Sequence, residues 1–132
     1  DVRGLGPPAM AYPAYLASFD DVAIGLAPLC EAAPFARGKS FGKVLAYLDR
    51  KVPVLGSAAG EHPAFFTPAT GVISNDEADW VRACGRLLAD PARRQRQADA
   101  AFEAFRQHLG VSVAGQKLAD ILASQARMRR VS

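Results

Sequence analysis

The sequence contains little cysteine, histidine and tryptophan. Its 132 residues include two cysteines, two histidines and one tryptophan. Cys30 and Cys84 are too few for a disulfide framework and lack the spacing of metal ligands, so we expect free thiols in a reducing cytoplasm. His62 and His108 form no metal-binding motif. The sequence therefore predicts neither a metal site nor an organic cofactor.

Long hydrophobic runs are also missing. No apolar run approaches the roughly 18 residues of a membrane span, and no charged-then-apolar signal pattern opens the chain. A mean hydropathy of +0.02 with 8% aromatic residues argues against a disordered chain. Besides alanine, the sequence has 40 apolar residues, enough for one modest core. We therefore predict a single unit over residues 1–132.

The net charge of +3 is unevenly distributed. Residues 1–81 carry a net charge of −3 and residues 82–132 a net charge of +6. Arginines of the basic part could attract a nucleic acid or an anionic membrane. Aromatic residues for base stacking are not interleaved with them, and no nucleic-acid motif is present. We predict a solvated helix face and no nucleic-acid partner, and keep peripheral membrane contact as an alternative.

The clearest strand pattern covers residues 21–29. Val22, Ile24 and Leu26 alternate with small residues, which is typical of a strand covered on both faces in a parallel sheet. A helix is predicted before it, over residues 10–19. Further strands are predicted over residues 52–56 and 71–74, separated from the first by a helix over residues 39–50 with Ser40 as its N-cap.

Three helices follow the last strand. Ser74 and Glu77 have the spacing of a capping box, and Asp90-Pro91 is a typical helix start. The final helix is predicted from about Val113. The apolar face expected for the first of the three consists of Trp80, Val81, Cys84, Leu87 and Leu88. This order of elements predicts an α/β fold: a partial Rossmann-like parallel sheet of about three strands with flanking helices and a helical C-terminus.

A polar cluster precedes the second predicted helix. Arg37, Gly38, Lys39 and Ser40 combine strong donors with a helix N-terminus, which favours an anion such as phosphate. The alternative is that Ser40 caps the helix while the cations are solvated. A nucleoside-triphosphatase phosphate loop is disfavoured, because Ala33 stands where that motif needs glycine.

Glu61 and His62 follow the second predicted strand. They are expected at the same sheet edge as the polar cluster, which makes them candidate ligand contacts. His108 is expected near a helix C-terminus, where an imidazole suits the helix dipole.

Taken in order, several segments resemble a known family. The chain from about Gly4 to Leu109 is similar to the C-terminal, donor-binding half of GT-B glycosyltransferases, in particular the retaining, nucleotide-sugar-dependent group. The resemblance rests on residues 21–29, 35–43, 45–47, 53–54, 71–73, Trp80 and 87–91.

The resemblance implies a donor site for a nucleoside-diphosphate sugar and an acceptor that is not identified. Lys39, Ser40 and Lys43 match the family pattern around the diphosphate, and donors there would stabilise the leaving diphosphate without a metal. No catalytic residue is assigned. The family usually has two glutamates at the positions that Gly38 and Ala46 occupy here, so both carboxylates are missing. Either another residue accepts the ribose hydroxyl bonds or the chain is a non-catalytic interaction module on a degenerate donor fold.

The resemblance also implies that the chain is the C-terminal portion of a donor-binding domain. The parent would be an active glycosyltransferase, cytoplasmic or membrane-peripheral, and this fragment alone is expected to be inactive. The usual strand order would place a further strand beside residues 22–26. We therefore predict an unpaired apolar sheet edge through which the chain forms a homo-oligomer or a strand-exchanged dimer.

Overall fold

The computed structural model describes residues 10–30, 32–39 and 42–129, and in them it confirms the predicted α/β architecture. The helices are α1 Tyr12–Ala17, α2 Pro34–Arg37, α3 Gly42–Asp49, α4 His62–Phe65, α5 Glu77–Ala89, α6 Pro91–Leu109 and α7 Val111–Arg129. The strands are β1 Gly25–Ala27, β2 Val54–Gly56 and β3 Gly71–Ile73. The short helices α2 and α4 lie in segments that the sequence analysis treated as loops.

The three strands form one parallel sheet in the order β1-β2-β3. Leu26, Leu55 and Val72 share one row of the register on one face of the sheet. All three residues of β2 are buried, as expected for a central strand. Because the three strands are parallel, their carboxyl ends all lie at the same end of the sheet.

Helices cover the two faces unequally. On one face α3 and α6 pack on the sheet through a core of Ala27, Val44, Leu48, Val54, Phe66 and Ala101. On the other face α5 contributes Ala83 and Leu87, which pack with Leu55. Because α5 packs over β2, with Val72 of β3 against it, Leu26 in β1 remains 50% exposed. The prediction that the first strand is covered on both faces is therefore wrong, and the strand itself is shorter than residues 21–29.

The start of α5 differs from the predicted capping box. Asp76 is the N-cap, and its side chain accepts a hydrogen bond of 3.0 Å from the backbone N–H of Asp79. Ser74 instead donates to the Asp79 carboxylate. The buried side of α5 is formed by Ala83 and Leu87, whereas Val81 and Leu88, both predicted on the apolar face, are 66% and 58% exposed. The sheet is only three strands wide, so it covers a narrow arc of the helix.

Helices α6 and α7 have the same length but different surroundings. The predicted start of α6 is confirmed, since Asp90 accepts from the Arg93 N–H at 2.8 Å and Pro91 follows it. Helix α7 begins at Val111, two residues before the predicted start. Its larger apolar side chains are exposed: Val111, Leu118, Ile121, Leu122 and Met128. No helix in the described part of the chain is long and apolar enough to cross a bilayer.

Two residues after the end of α3, a lysine adopts the left-handed backbone conformation. Lys51 has a φ of +53°, and the N–H of Val52 closes the turn by donating to the Tyr47 carbonyl at 2.9 Å. Its ammonium lies 2.9 Å from the Asp99 carboxylate and 5.0 Å from the ring centre of Phe102, both on α6. The side chain of Lys51 therefore joins the end of α3 to α6.

Each edge strand carries a glycine beneath an aromatic ring. A β-carbon at Gly25 would lie 2.6 Å from Cγ of Tyr47, and one at Gly71 would overlap the ring of Phe66. Phe19 packs edge-on against Tyr47, with ring centres 5.1 Å apart, and Tyr15 packs on Phe19. Close packing of both rings on the sheet thus requires glycine at these positions.

Candidate functional site

Three loops follow the carboxyl ends of the three strands, and hydrogen bonds join neighbouring loops. The backbone N–H of Leu29, after β1, donates to the Ser57 hydroxyl at 2.9 Å. The N–H of Ala58, after β2, donates to the Asn75 side-chain oxygen at 2.9 Å. Neighbouring loops are therefore held at fixed spacing, at the edge where open α/β sheets bind ligands.

A groove of about 450 Å³ opens between these loops, and we call it the strand-end groove. It is lined by Pro28, Leu29, Ser57, Asn75, Glu77 and Trp80. The indole N–H of Trp80 donates to the Ser74 carbonyl at 2.8 Å, which fixes the ring in the wall. The volume lies within the roughly 300–1,000 Å³ of small-molecule sites, and the lining offers an aromatic face, a carboxylate and an amide.

Gly60 connects this groove to the predicted anion site. Its φ of +58° belongs to the left-handed region, which glycine adopts without strain. A β-carbon there would lie 3.4 Å from both the Leu29 side chain and the Lys39 carbonyl. The backbone of Lys39 therefore lies close to Leu29, which lines the groove.

The predicted phosphate-binding residues lie at the end of α2 and the start of α3. Gly38 is exposed and ends α2, and Lys43 is exposed in the first turn of α3. The ammonium of Lys39 lies 4.6 Å from the ring centre of Phe35, which is itself 75% exposed. Arg37 is the last residue of α2; its side chain, like the whole of Ser40, lies outside the described residues.

Glu61 and His62 occupy different environments. Glu61 is exposed just before α4, whereas His62 is only 5% exposed. Nδ1 of His62 is 2.9 Å from the Ser57 carbonyl oxygen, and its ring packs on Gly56. His62 thus supports from below the loop that carries Ser57 and does not line the groove. A direct ligand contact by His62 stays a prediction.

The sequence analysis missed three groove residues that follow β3. Glu77 was assigned to a capping box and Trp80 to a core face, and Asn75 was given no role. The available signal was positional, because a loop after a third parallel strand must lie beside the loops that follow the first two.

The electrostatics of the site divide into two halves. Asp76, Glu77 and Asp79 lie together at the start of α5, whereas Lys43 belongs to α3, which packs on the other face of the sheet, and Lys39 precedes α3. The Ser74 hydroxyl donates to Asp79 at 2.7 Å, and this bond, followed by the one from Arg82, lowers the pKa of the Asp79 carboxyl. An anionic group is therefore favoured near the lysines and hydroxyl donors are favoured near Glu77.

The positions of the two expected glutamates supply no carboxylate. Gly38 has no side chain, and Ala46 is 5% exposed and points into the core from α3. Glu77 is the carboxylate in the lining of the groove. Within the described residues, no three His, Cys, Asp or Glu side chains are grouped so that they could hold a metal ion.

Comparisons with known proteins add no relative to this description. A scan against protein-family models, a search of curated proteins and a search of solved structures each found no match to this chain.

Proposed function

We propose that the strand-end groove binds the nucleoside-diphosphate part of a sugar donor, as the donor-binding portion of a glycosyltransferase. The position of the groove is the main support, since it lies between tied loops at the carboxyl ends of parallel strands. The order of motifs that resembles the GT-B donor domain supports the same class of ligand. The acceptor and any catalytic residue belong to the parent enzyme in this proposal.

The charge division of the site orients the ligand. The diphosphate lies toward Lys39 and Lys43, because Asp76, Glu77 and Asp79 repel it from the start of α5. The ribose hydroxyls then face Glu77, whose carboxylate accepts their hydrogen bonds in place of the carboxylate absent at Ala46. Cationic donors around the diphosphate stabilise the charge that develops as the glycosidic bond breaks.

Trp80 provides a direct test, because it is the only tryptophan of the chain and lines the groove. We expect uridine or guanosine diphosphate to quench its fluorescence saturably. Lys39→Ala is expected to weaken binding by about tenfold, or about 1.4 kcal/mol. Glu77→Gln should weaken binding of the nucleotide and leave binding of inorganic pyrophosphate unchanged, since pyrophosphate has no ribose.

Lys117→Ala is the matched control, because Lys117 is exposed on α7 and its substitution removes the same charge. It should bind both nucleotides as the unmodified chain does. The donor site is rejected if neither nucleotide quenches Trp80, or if Lys39→Ala and Lys117→Ala bind equally well.

A non-catalytic interaction module is the second candidate. The observation that favours it is that Gly38 has no side chain and Ala46 is buried, so that the carboxylate pair usual in the resembling family is absent. Absence of nucleotide binding in the titration above would favour this function.

A further inference from the structure

The face of the sheet that α5 covers is left partly uncovered at β1. A helix is about 10–12 Å wide and neighbouring strands lie about 4.8 Å apart, so one helix covers about two strands. On this face α5 packs over β2, with Val72 of β3 against it. Leu26 of β1 is half exposed, and Ile24, two residues earlier on the same face, is only partly buried.

The side of α5 that faces β1 continues this apolar surface. Trp80 lines the strand-end groove together with the two residues that follow β1, so the Trp80 side of α5 faces β1. Cys84 lies one turn further along the same side and is partly buried. Ile24, Leu26 and Cys84 thus border a shallow apolar area beside α5, which we call the β1 surface.

Helix α7 has an apolar side that its own chain leaves exposed. Leu118, Ile121 and Leu122 have the i, i+3, i+4 spacing of one helix face, and each is more than half exposed. Every residue from 114 to 128 is exposed, so α7 does not occupy the β1 surface of its own chain. Helices in water gain most of their stability from packing of such a face, so a surface that covers it would stabilise α7.

The β1 surface and α7 match in length and charge. With 19 residues α7 is about 28 Å long, which is enough to run beside the 13 residues of α5. Residues 1–81, which contain β1, carry a net charge of −3, whereas residues 82–132, which contain α7, carry +6. Opposite charges favour the approach of the basic helix of one copy to the acidic part of another.

We propose that the β1 surface of one copy of the chain receives α7 of a second copy. Leu118, Ile121 and Leu122 of α7 pack on Leu26 and Ile24, so that α7 lies beside α5 of the other copy. Each copy has one β1 surface and one α7, so reciprocal docking closes a two-fold dimer that contains the contact twice. The proposal does not depend on nucleotide binding in the strand-end groove.

Light scattering at micromolar concentration tests the role of α7. The unmodified chain should be a dimer, and Leu118→Lys and Ile121→Lys should each weaken association by at least about tenfold, because each places an ammonium in an apolar contact. Ala123→Lys is the matched control, since Ala123 is exposed on the other side of α7, and it should remain a dimer. Within the described residues the two core clusters contain no residue of α7, so circular dichroism should show a folded sheet in all three variants.

A disulfide tests where α7 docks. In a chain with Cys30→Ser, Leu122→Cys should yield a covalent dimer when copper-phenanthroline is the oxidant, because position 122 of one copy lies beside Cys84 of the other. Adding Cys84→Ser should remove the dimer band. Ala123→Cys, the control on the other side of α7, should give at least about tenfold less covalent dimer.

Three results would overturn the proposal. The first is a monomeric unmodified chain. The second is a dimer that survives Leu118→Lys and Ile121→Lys, which would indicate direct pairing of two β1 edges. The third is a Leu122→Cys chain that gives no covalent dimer, or one that persists after Cys84→Ser and so indicates pairing of α7 with α7. Should Cys84→Ser fail to fold, the lysine variants still decide the question.

Discussion

The two edge strands of the sheet have equivalent positions in the register but unequal protection. Gly25 in β1 and Gly71 in β3 pair with the same residue, Val54, and each lies beneath an aromatic ring. The ring over Gly71 belongs to Phe66, which is 7% exposed, whereas the ring over Gly25 belongs to Tyr47, which is only partly buried.

The opposite face of the sheet shows the same contrast. Leu26 and Val72 occupy one row, yet α5 covers Val72 and leaves Leu26 half exposed. The β3 edge is thus covered by elements on both faces, while cover of the β1 edge depends on Tyr47 and on Phe19 and Tyr15, which pack behind it. Equivalent places in a sheet differ in stability according to what packs over them.

The largest expected difference concerns the two glycines. Gly71→Ala should destabilise the fold by about 2–3 kcal/mol, because its β-carbon overlaps a buried ring. Gly25→Ala should cost about 1 kcal/mol, since the Tyr47 ring can move toward solvent. The free energy of unfolding is measured by urea denaturation.

Gly85→Ala on α5 is the control for this pair. No atom lies within 4 Å of the added β-carbon, so the variant should be more stable than the unmodified chain by about 0.5–1 kcal/mol. Equal losses for Gly25→Ala and Gly71→Ala would show that the two edges are equally protected.

The next effect concerns association at the β1 edge. The sequence predicts self-association through this edge, and Leu26→Lys should abolish it, because a charged side chain on an edge strand opposes pairing. Light scattering at micromolar concentration should show a fall from dimer to monomer. Val81→Lys, an equally drastic change at an exposed position on α5, should leave the dimer intact. A monomeric unmodified chain would contradict the prediction.

The smallest expected effect concerns ionisation of the Tyr47 hydroxyl, a group that Phe66 lacks. Burial, with a smaller contribution from Tyr15, raises the pKa of Tyr47 above 10.0, and a hydrogen bond with the Leu26 backbone opposes this shift. Above pH 10 the unfolded chain loses this proton first, so ionisation favours unfolding as the pH rises.

Tyr47→Phe removes this contribution. The loss of stability between pH 9 and pH 11, measured by urea denaturation, should therefore be smaller in the variant than in the unmodified chain. Tyr12→Phe is the control, since Tyr12 is 67% exposed. An identical alkaline loss in Tyr47→Phe and the unmodified chain would contradict the assigned burial.

Local patterns in the sequence were enough to predict the class of fold. The period of the apolar residues predicts α3 and α5, and Asp90-Pro91 predicts the start of α6, since these signals act within a few residues. The N-cap of α5 was predicted wrongly, because Ser74 and Asp76 are both residue types that cap helices and lie within three residues of each other. Which of them caps the helix depends on where β3 ends, which the pairing with β2 decides.

The candidate sites depend on contacts between distant segments and were only partly predictable. Lys39 was predicted from its position just before a helix, whereas Glu77 reaches the groove only because β3 lies beside β2. The burial of His62 beneath Ser57 likewise arises from packing in the folded chain. Local sequence patterns do not indicate which distant residues will be neighbours in the fold.

The lysine that follows α3 makes the attachment of α6 sensitive to salt. Lys51 adopts a backbone conformation that glycine would adopt more easily, and its ion pair with Asp99 is exposed to solvent. Dissolved ions screen such a pair without weakening the apolar core beneath it. Raising the ionic strength should thus increase hydrogen exchange in α6 before that in β2, so that the helical C-terminus loosens while the sheet remains folded.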